Sequence, residues 1–108
     1  MKLSLDSLLV VEMLKWQLHD LEQMPTYFKK DLEVRQLSYT KAAICEIIDD
    51  IFKHGDEDPI NVVERFVNRK RRLSISGKSN RNRWMQSVGY DAGRYVLDEL
   101  LFRKTLNY

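Results

Sequence analysis

The first quarter of the chain alternates apolar and polar residues with the period of an α-helix. Ser4 or Asp6 can cap its start and Pro25 ends it. The pattern therefore predicts a first helix over residues 5–24. A core stripe recurs at spacings of three and four residues, formed by Leu8, Val11, Leu14, Leu18 and Leu21. A second stripe beside it is formed by Leu9, Met13 and Trp16.

Three further segments carry helical signals. The second helix is predicted over residues 38–53, with an earlier start left open, and Gly55 stops it. Asp58 at the cap and Pro59 at the first position begin a third helix, which runs to about Leu73. The small polar residues 74–80 predict a loop. A fourth helix follows over residues 80–103, capped by Asn80, with apolar side chains at Trp84, Met85, Val88, Ala92, Tyr95 and Val96.

These elements predict an all-α fold, a small four-helix bundle-like single domain over residues 1–108. Residues 26–37 fit a helical turn or an extended piece, so a fifth short helix near residues 26–33 is the alternative. The length of 108 residues suits one domain, and four glycines and two prolines are too few turn signals for a β-sandwich.

The only cysteine, Cys45, excludes an internal disulfide and is expected in the core beside Ile44 and Ile48. The apolar run at residues 8–11 is cut at Glu12, which makes it too short for a signal sequence or a membrane span. We therefore expect a cytoplasmic protein that does not contact a membrane.

Charge is sorted along the chain although the net charge is only +2. Residues 65–83 contain eight cations and no acid, so the remainder carries −6. Residues 46–58 alone carry −5. The basic stretch predicts a contact surface for a protein, a nucleoprotein complex or nucleic acid, while pairing with the acidic segment is the structural alternative. The candidate contact residues are Arg69, Lys70, Arg71, Arg72, Lys78, Arg81, Arg83, Trp84 and Tyr90.

Signals for catalysis are absent from the pattern. Glu46, Asp49 and Asp50 share a helical face and could hold Mg²⁺, as in helical nucleotide hydrolases, but they lack the second acidic motif. No metal-binding spacing involves His19 or His54. We therefore expect a non-enzymatic protein without a cofactor or metal, and keep the metal-dependent hydrolase as the second alternative.

Two surfaces could join copies of the chain. Gly89 and Gly93 form a small-residue groove in the fourth helix, where either the first or third helix or a second copy could pack. The stripe of Leu9, Met13 and Trp16 is the other candidate for a homodimer.

The Asp58–Phe66 stretch, Ser87–Ala92 and Val96–Leu101 resemble small uncharacterised helical proteins of phages and prophages of Gram-positive bacteria. The resemblance covers the C-terminal half and implies a product of a mobile element that binds and redirects a host or phage component, such as a defence nuclease. The sequence therefore predicts an interaction protein that occupies a partner's surface, with direct nucleic-acid binding by residues 65–83 as the alternative. A helix-turn-helix is disfavoured, since the predicted loop is longer than the usual turn of about 3–4 residues.

Overall fold

The computed structural model describes residues 3–25 and 30–106, and this part of the chain folds into four α-helices. The predicted all-α, four-helix bundle-like fold is confirmed. Residues 26–29 of the predicted fifth helix lie outside the described residues, and Asp31 already begins the second helix. None of the helices in the described ranges is long and apolar enough to cross a membrane. The helices are α1 (Leu5–Glu22), α2 (Asp31–Lys53), α3 (Pro59–Ser76) and α4 (Asn80–Leu106).

The starts of α1 and α3 lie at the predicted caps, whereas α2 begins at Asp31, seven residues before the predicted residue 38. The Ser4 side chain accepts a hydrogen bond from the Ser7 amide, and the Asp58 carboxylate accepts one from the Ile60 amide at 2.9 Å. The cap of α4 lies one residue earlier than predicted. Ser79, rather than Asn80, accepts a hydrogen bond from the Asn82 amide at 3.0 Å.

The predicted loop over residues 74–80 is wrong in its first half. α3 continues to Ser76, and within it Ser74 and Ser76 donate their hydroxyl protons to the carbonyls of Arg71 and Arg72 at 2.7 and 2.9 Å. These bonds let serine remain within a helix instead of opening a turn. The connection to α4 is therefore only residues 77–79.

α3 and α4 form an antiparallel hairpin that is closely packed around Gly93. A Cβ at Gly93 would lie 2.8 Å from the Phe66 ring and 3.0 Å from a methyl of Val67. One turn earlier on α4, Gly89 packs against the side chain of Lys70. Internal packing of Gly89 and Gly93 against the third helix is thus confirmed. The homodimer predicted through this face is wrong, because α3 already fills it.

The core lies where α1, α2 and the α3–α4 hairpin meet. Several residues that the sequence predicted to be buried are exposed in the structure. The buried core members on α1 are Val10, Val11 and Leu14, so the helix is rotated away from the predicted face and Leu8 is 47% exposed. Cys45 is exposed, not in the core, because α2 turns the neighbouring Ile44 and Ile47 inward. Met85 and Tyr95, predicted on the apolar side of the fourth helix, are also exposed, as are Leu9 and Trp16 of the second stripe on α1.

Candidate binding surface at the hairpin end

The structure divides the predicted basic contact residues into two sets with different surroundings. Arg69 and Lys70 point towards α2 and are paired with its acids. The other cations surround the end of the α3–α4 hairpin. We call residues 71–85 the hairpin end, comprising the last turns of α3, the connection 77–79 and the first turns of α4.

Arg69 and Lys70 form an ion-pair network across the α2–α3 interface. A guanidinium nitrogen of Arg69 lies 3.0 Å from both Glu46 and Asp50, and the Lys70 ammonium lies 2.8 Å from Glu46. Burial lowers the pKa of Arg69, but the hydrogen bond to Asp50 and the charges of Asp50 and Glu46 outweigh it and raise this pKa overall. The network separates Arg69 and Lys70 from the other predicted contact residues, because their charges are already compensated within the fold.

The same network occupies two of the acids that formed the candidate Mg²⁺ site. Glu46 and Asp50 bind cations of α3, while Asp49 is exposed. In the described part of the chain, no group of three or more His, Cys, Asp or Glu side chains is placed to hold a metal ion.

A separate ion pair fastens the start of α3 and gives a pH-dependent prediction. Arg65 donates hydrogen bonds of 2.7 and 2.9 Å to the two carboxylate oxygens of Glu57, and His54 lies 2.9 Å from the same carboxylate. The hydrogen bond from Arg65, aided by the charges of Arg65 and His54, lowers the pKa of Glu57 from its ordinary value of 4.5 against the opposing effect of burial. A carboxylate with a lowered folded pKa adds stability above its unfolded pKa and loses it as pH falls through the folded pKa.

We therefore expect Glu57→Gln to unfold at a lower urea concentration than wild type at neutral pH. The gap should close as pH falls below 4.5, the ordinary pKa of Glu57, and then through its lowered folded pKa, where the carboxylate becomes protonated. Urea titrations of both proteins across this range measure the gap. A gap that stays constant throughout would mean that the Glu57 charge does not stabilise the fold.

The cations of the hairpin end have no acidic partner among the described residues. Arg71, Arg72, Lys78 and Arg81 are all exposed, and no carboxylate there lies within 4.0 Å of them. Arg81 donates a hydrogen bond to the Tyr39 hydroxyl at 3.3 Å, and this bond raises the pKa of Arg81. These four side chains therefore present fixed positive charge to solvent at one end of the bundle.

Arg83 holds the connection between the two helices in place. Its guanidinium donates to the Gly77 carbonyl at 2.8 Å and also to the Asn80 side chain. Three of the five donors of a guanidinium remain for other contacts. Arg83 is thus a positioning residue that also adds charge to the hairpin end.

The two predicted aromatic contacts differ in their position. Trp84 is partly buried and meets Tyr39 of α2 edge to face, with ring centroids 5.3 Å apart. Tyr90 is partly buried against the core, about 10 Å further along α4 than Arg83. Trp84 therefore belongs to the rim of the hairpin end, whereas Tyr90 does not belong to this surface.

Exposed aliphatic side chains are the component that the sequence pattern missed. Ile75 is 75% exposed, and Leu73 and Met85 are also exposed. Ile75 lies nine residues after the buried Phe66, which places it on the opposite side of α3. Extending the helical period beyond Leu73 would have revealed this, but the small polar residues of this segment suggested a loop.

The hairpin geometry also bears on the helix-turn-helix alternative. The connection of three residues removes the objection that the loop is too long. However, Gly89 contacts Lys70 and Gly93 contacts Phe66 and Val67, so α3 and α4 pack antiparallel over several turns. The helices of a helix-turn-helix cross at about 90–120° instead.

Comparison of the chain with models of protein families, with curated proteins and with solved structures finds no match. Any function must therefore be argued from the geometry of the surfaces described above.

Proposed function

We propose that this protein is a non-enzymatic binding protein that attaches to an acidic surface of a protein or nucleoprotein partner through the hairpin end. The observation that carries the proposal is that some cations of the basic stretch are paired with acids inside the fold, whereas others are exposed to solvent. Those facing α2 are neutralised by Glu46 and Asp50, while Arg71, Arg72, Lys78 and Arg81 remain exposed without acidic partners in the described ranges.

The aliphatic side chains at the hairpin end favour a protein component in the partner. Protein interfaces combine an apolar centre with a polar rim. Ile75, with Leu73 and Met85, supplies the apolar element, and the cations supply charge complementarity that speeds association. Occupation of the partner's surface is the mechanism, and the resemblance to phage proteins makes a host or phage component in the cytoplasm the expected partner.

Direct nucleic-acid binding is the second candidate, favoured by one observation. The segment from Arg71 to Arg83 contains cations and no acid around the start of α4. Such a stretch can follow a phosphate backbone, and its affinity would fall steeply with salt. Trp84 is less suited to base stacking, because it already packs on Tyr39.

We expect Arg71→Glu/Arg72→Glu to weaken partner binding at least about tenfold, since like charges then face an acidic surface. The full-length chain is used as bait in a nuclease-treated lysate of the cells that make it, and a captured partner is purified and titrated. The matched control is Lys15→Glu/Arg94→Glu, which makes the same change in net charge at exposed cations of α1 and α4. Control and wild type should bind alike.

The companion variant Ile75→Ser separates the two candidates. Ile75 and Leu32 are both exposed, but only Ile75 lies at the hairpin end, so Leu32→Ser is the matched control. Loss of binding in Ile75→Ser, but not in Leu32→Ser, supports a partner that presents a protein surface. Release of every partner by nuclease would favour nucleic acid instead. Equal binding by both charge-reversed variants would refute the hairpin end as the contact surface.

A further inference from the structure

α1 and α4 flank a long groove instead of packing on each other. The two helices run antiparallel, because the start of α1 and the end of α4 line one hollow while the end of α1 and the middle of α4 line another. No Cα atom of α1 lies within 8 Å of one in α4. Gln17 bridges the gap by donating a hydrogen bond to Glu99 at 3.2 Å. On one side of this bridge lies a hollow of about 740 Å³, and on the other lies one of about 290 Å³.

The groove is lined by both apolar and charged side chains and is flanked by exposed apolar ridges. The larger hollow is lined by Val10 and Met13 from α1, Ile60 from α3 and Leu100 from α4, together with the charged side chains of Asp6, Asp58, Arg103 and Lys104. Helical spacing places Leu9 and Trp16 on one ridge along α1, seven residues apart. The same spacing places Tyr95, Phe102 and Leu106 on the facing ridge along α4, and all five ridge residues are 61–67% exposed.

The exposed apolar area of the two ridges lies at the upper end of the range for monomers. Three aromatic rings that are two-thirds exposed and two leucines provide roughly 600 Å² of apolar surface. The largest apolar patch on a typical monomer is roughly 300–600 Å². A stable interface buries about 800 Å² on each partner, so this face, with the groove walls between its ridges, approaches the area that a dimer needs.

We propose that a second copy of this chain covers the face formed by α1 and α4. The face has a convex ridge on α1 beside a concave groove, so a two-fold axis can place the α1 ridge of each copy in the groove of the other. One pair of charges also suits such pairing. Arg103 is already paired with Glu99, but Lys104 of α4 has no carboxylate within 4.0 Å in the described ranges, and the two-fold arrangement can bring the exposed Asp20 of one copy towards it.

We expect the full chain to sediment as a species of twice its 12.9 kDa mass at high micromolar concentration. Leu9→Glu/Trp16→Glu should weaken dimerisation at least about 30-fold, because truncating central apolar anchors removes most of an interface's affinity. The matched control is Leu32→Glu/Phe52→Glu, which adds the same two charges at an exposed leucine and an exposed aromatic ring of α2 that do not line the groove, and it should remain dimeric. Circular dichroism checks that each variant retains its helical content.

Two results would overturn the dimer. One is a wild-type protein that stays monomeric up to the highest soluble concentration. The other is a folded Leu9→Glu/Trp16→Glu variant that associates as tightly as wild type. Arg71→Glu/Arg72→Glu should remain dimeric, so failure of the hairpin end as a binding surface and failure of this interface are distinguishable.

Discussion

Replacing Gly93 with alanine should destabilise the protein by about 1–3 kcal/mol, the usual cost of inserting a group into a packed core. At a solvent-exposed position of a helix, glycine to alanine instead stabilises the fold by about 1 kcal/mol. The packing around Gly93 therefore reverses the sign of the change in stability. A Cβ at residue 93 would lie 2.8 and 2.9 Å from two carbons of the Phe66 ring and 3.0 Å from Val67. Phe66 is fully buried and cannot retreat without displacing other core residues. The midpoint of urea unfolding measures the effect.

Gly89→Ala is the matched control, on the same helix and one turn earlier. Its Cβ would lie 3.3 Å from the Lys70 side chain, whose methylenes can shift by a few tenths of an ångström. We therefore expect a much smaller change in stability than at residue 93. Adding Phe66→Leu to Gly93→Ala should recover part of the loss in a double-mutant cycle. Equal stability of the two alanine variants would contradict the tight contact between α3 and α4 at Phe66.

The number and order of the helices follow from the hydrophobic periodicity and from the residues that begin and end each helix. The structure confirms a helix start where two such residues agree. Asp58 and Pro59 determine the start of α3, since an acidic cap and a proline at the first position both satisfy the geometry of a helix start. The end of α3 is harder to predict because Ser74 and Ser76 can serve a loop or a helix. Their hydroxyls bond to carbonyls of the preceding turn only once the helix exists.

The buried face of α1 could not be determined from the sequence alone. This helix has apolar residues around most of its circumference, so several rotations satisfy the pattern. Packing against α2 selects Val10, Val11 and Leu14 and leaves Leu8 and Trp16 exposed. Cys45 shows the same limit on α2, because its position relative to the core depends on how the neighbouring helices lie.

The binding surface was only partly predictable for a related reason. Adjacent cations point in different directions around a helix, so a charge sum over residues 65–83 combines paired and exposed side chains. The pairing of Arg69 with Asp50 depends on the register between α2 and α3. The exposed charges of Arg71 and Arg72 follow from the same register, since α3 turns them away from the acids.

Replacing Glu46 with alanine should destabilise the fold by about 2 kcal/mol, below the roughly 3–5 kcal/mol of a fully buried pair because Glu46 remains partly exposed. The Lys70 side chain is only 13% exposed, lies over the Phe66 ring and contacts Gly89. Without Glu46 its ammonium retains a hydrogen bond to Gln86 but no carboxylate partner. Urea unfolding measures the loss, and Asp49→Ala, at an exposed acid of the same helix, should change stability by less than about 0.5 kcal/mol.

Lys70→Met in the Glu46→Ala background should restore much of that stability, since it removes the stranded charge and keeps an apolar side chain against Phe66. This rescue distinguishes a structural role for Lys70 from a role in binding. If Lys70 served the contact surface, Glu46→Ala would free a cation and strengthen binding to an acidic partner with little loss of stability. A destabilised Glu46→Ala variant that Lys70→Met rescues would instead assign Lys70 to the packing of α3 against α2, and would leave Arg71, Arg72, Lys78 and Arg81 as the proposed binding cations.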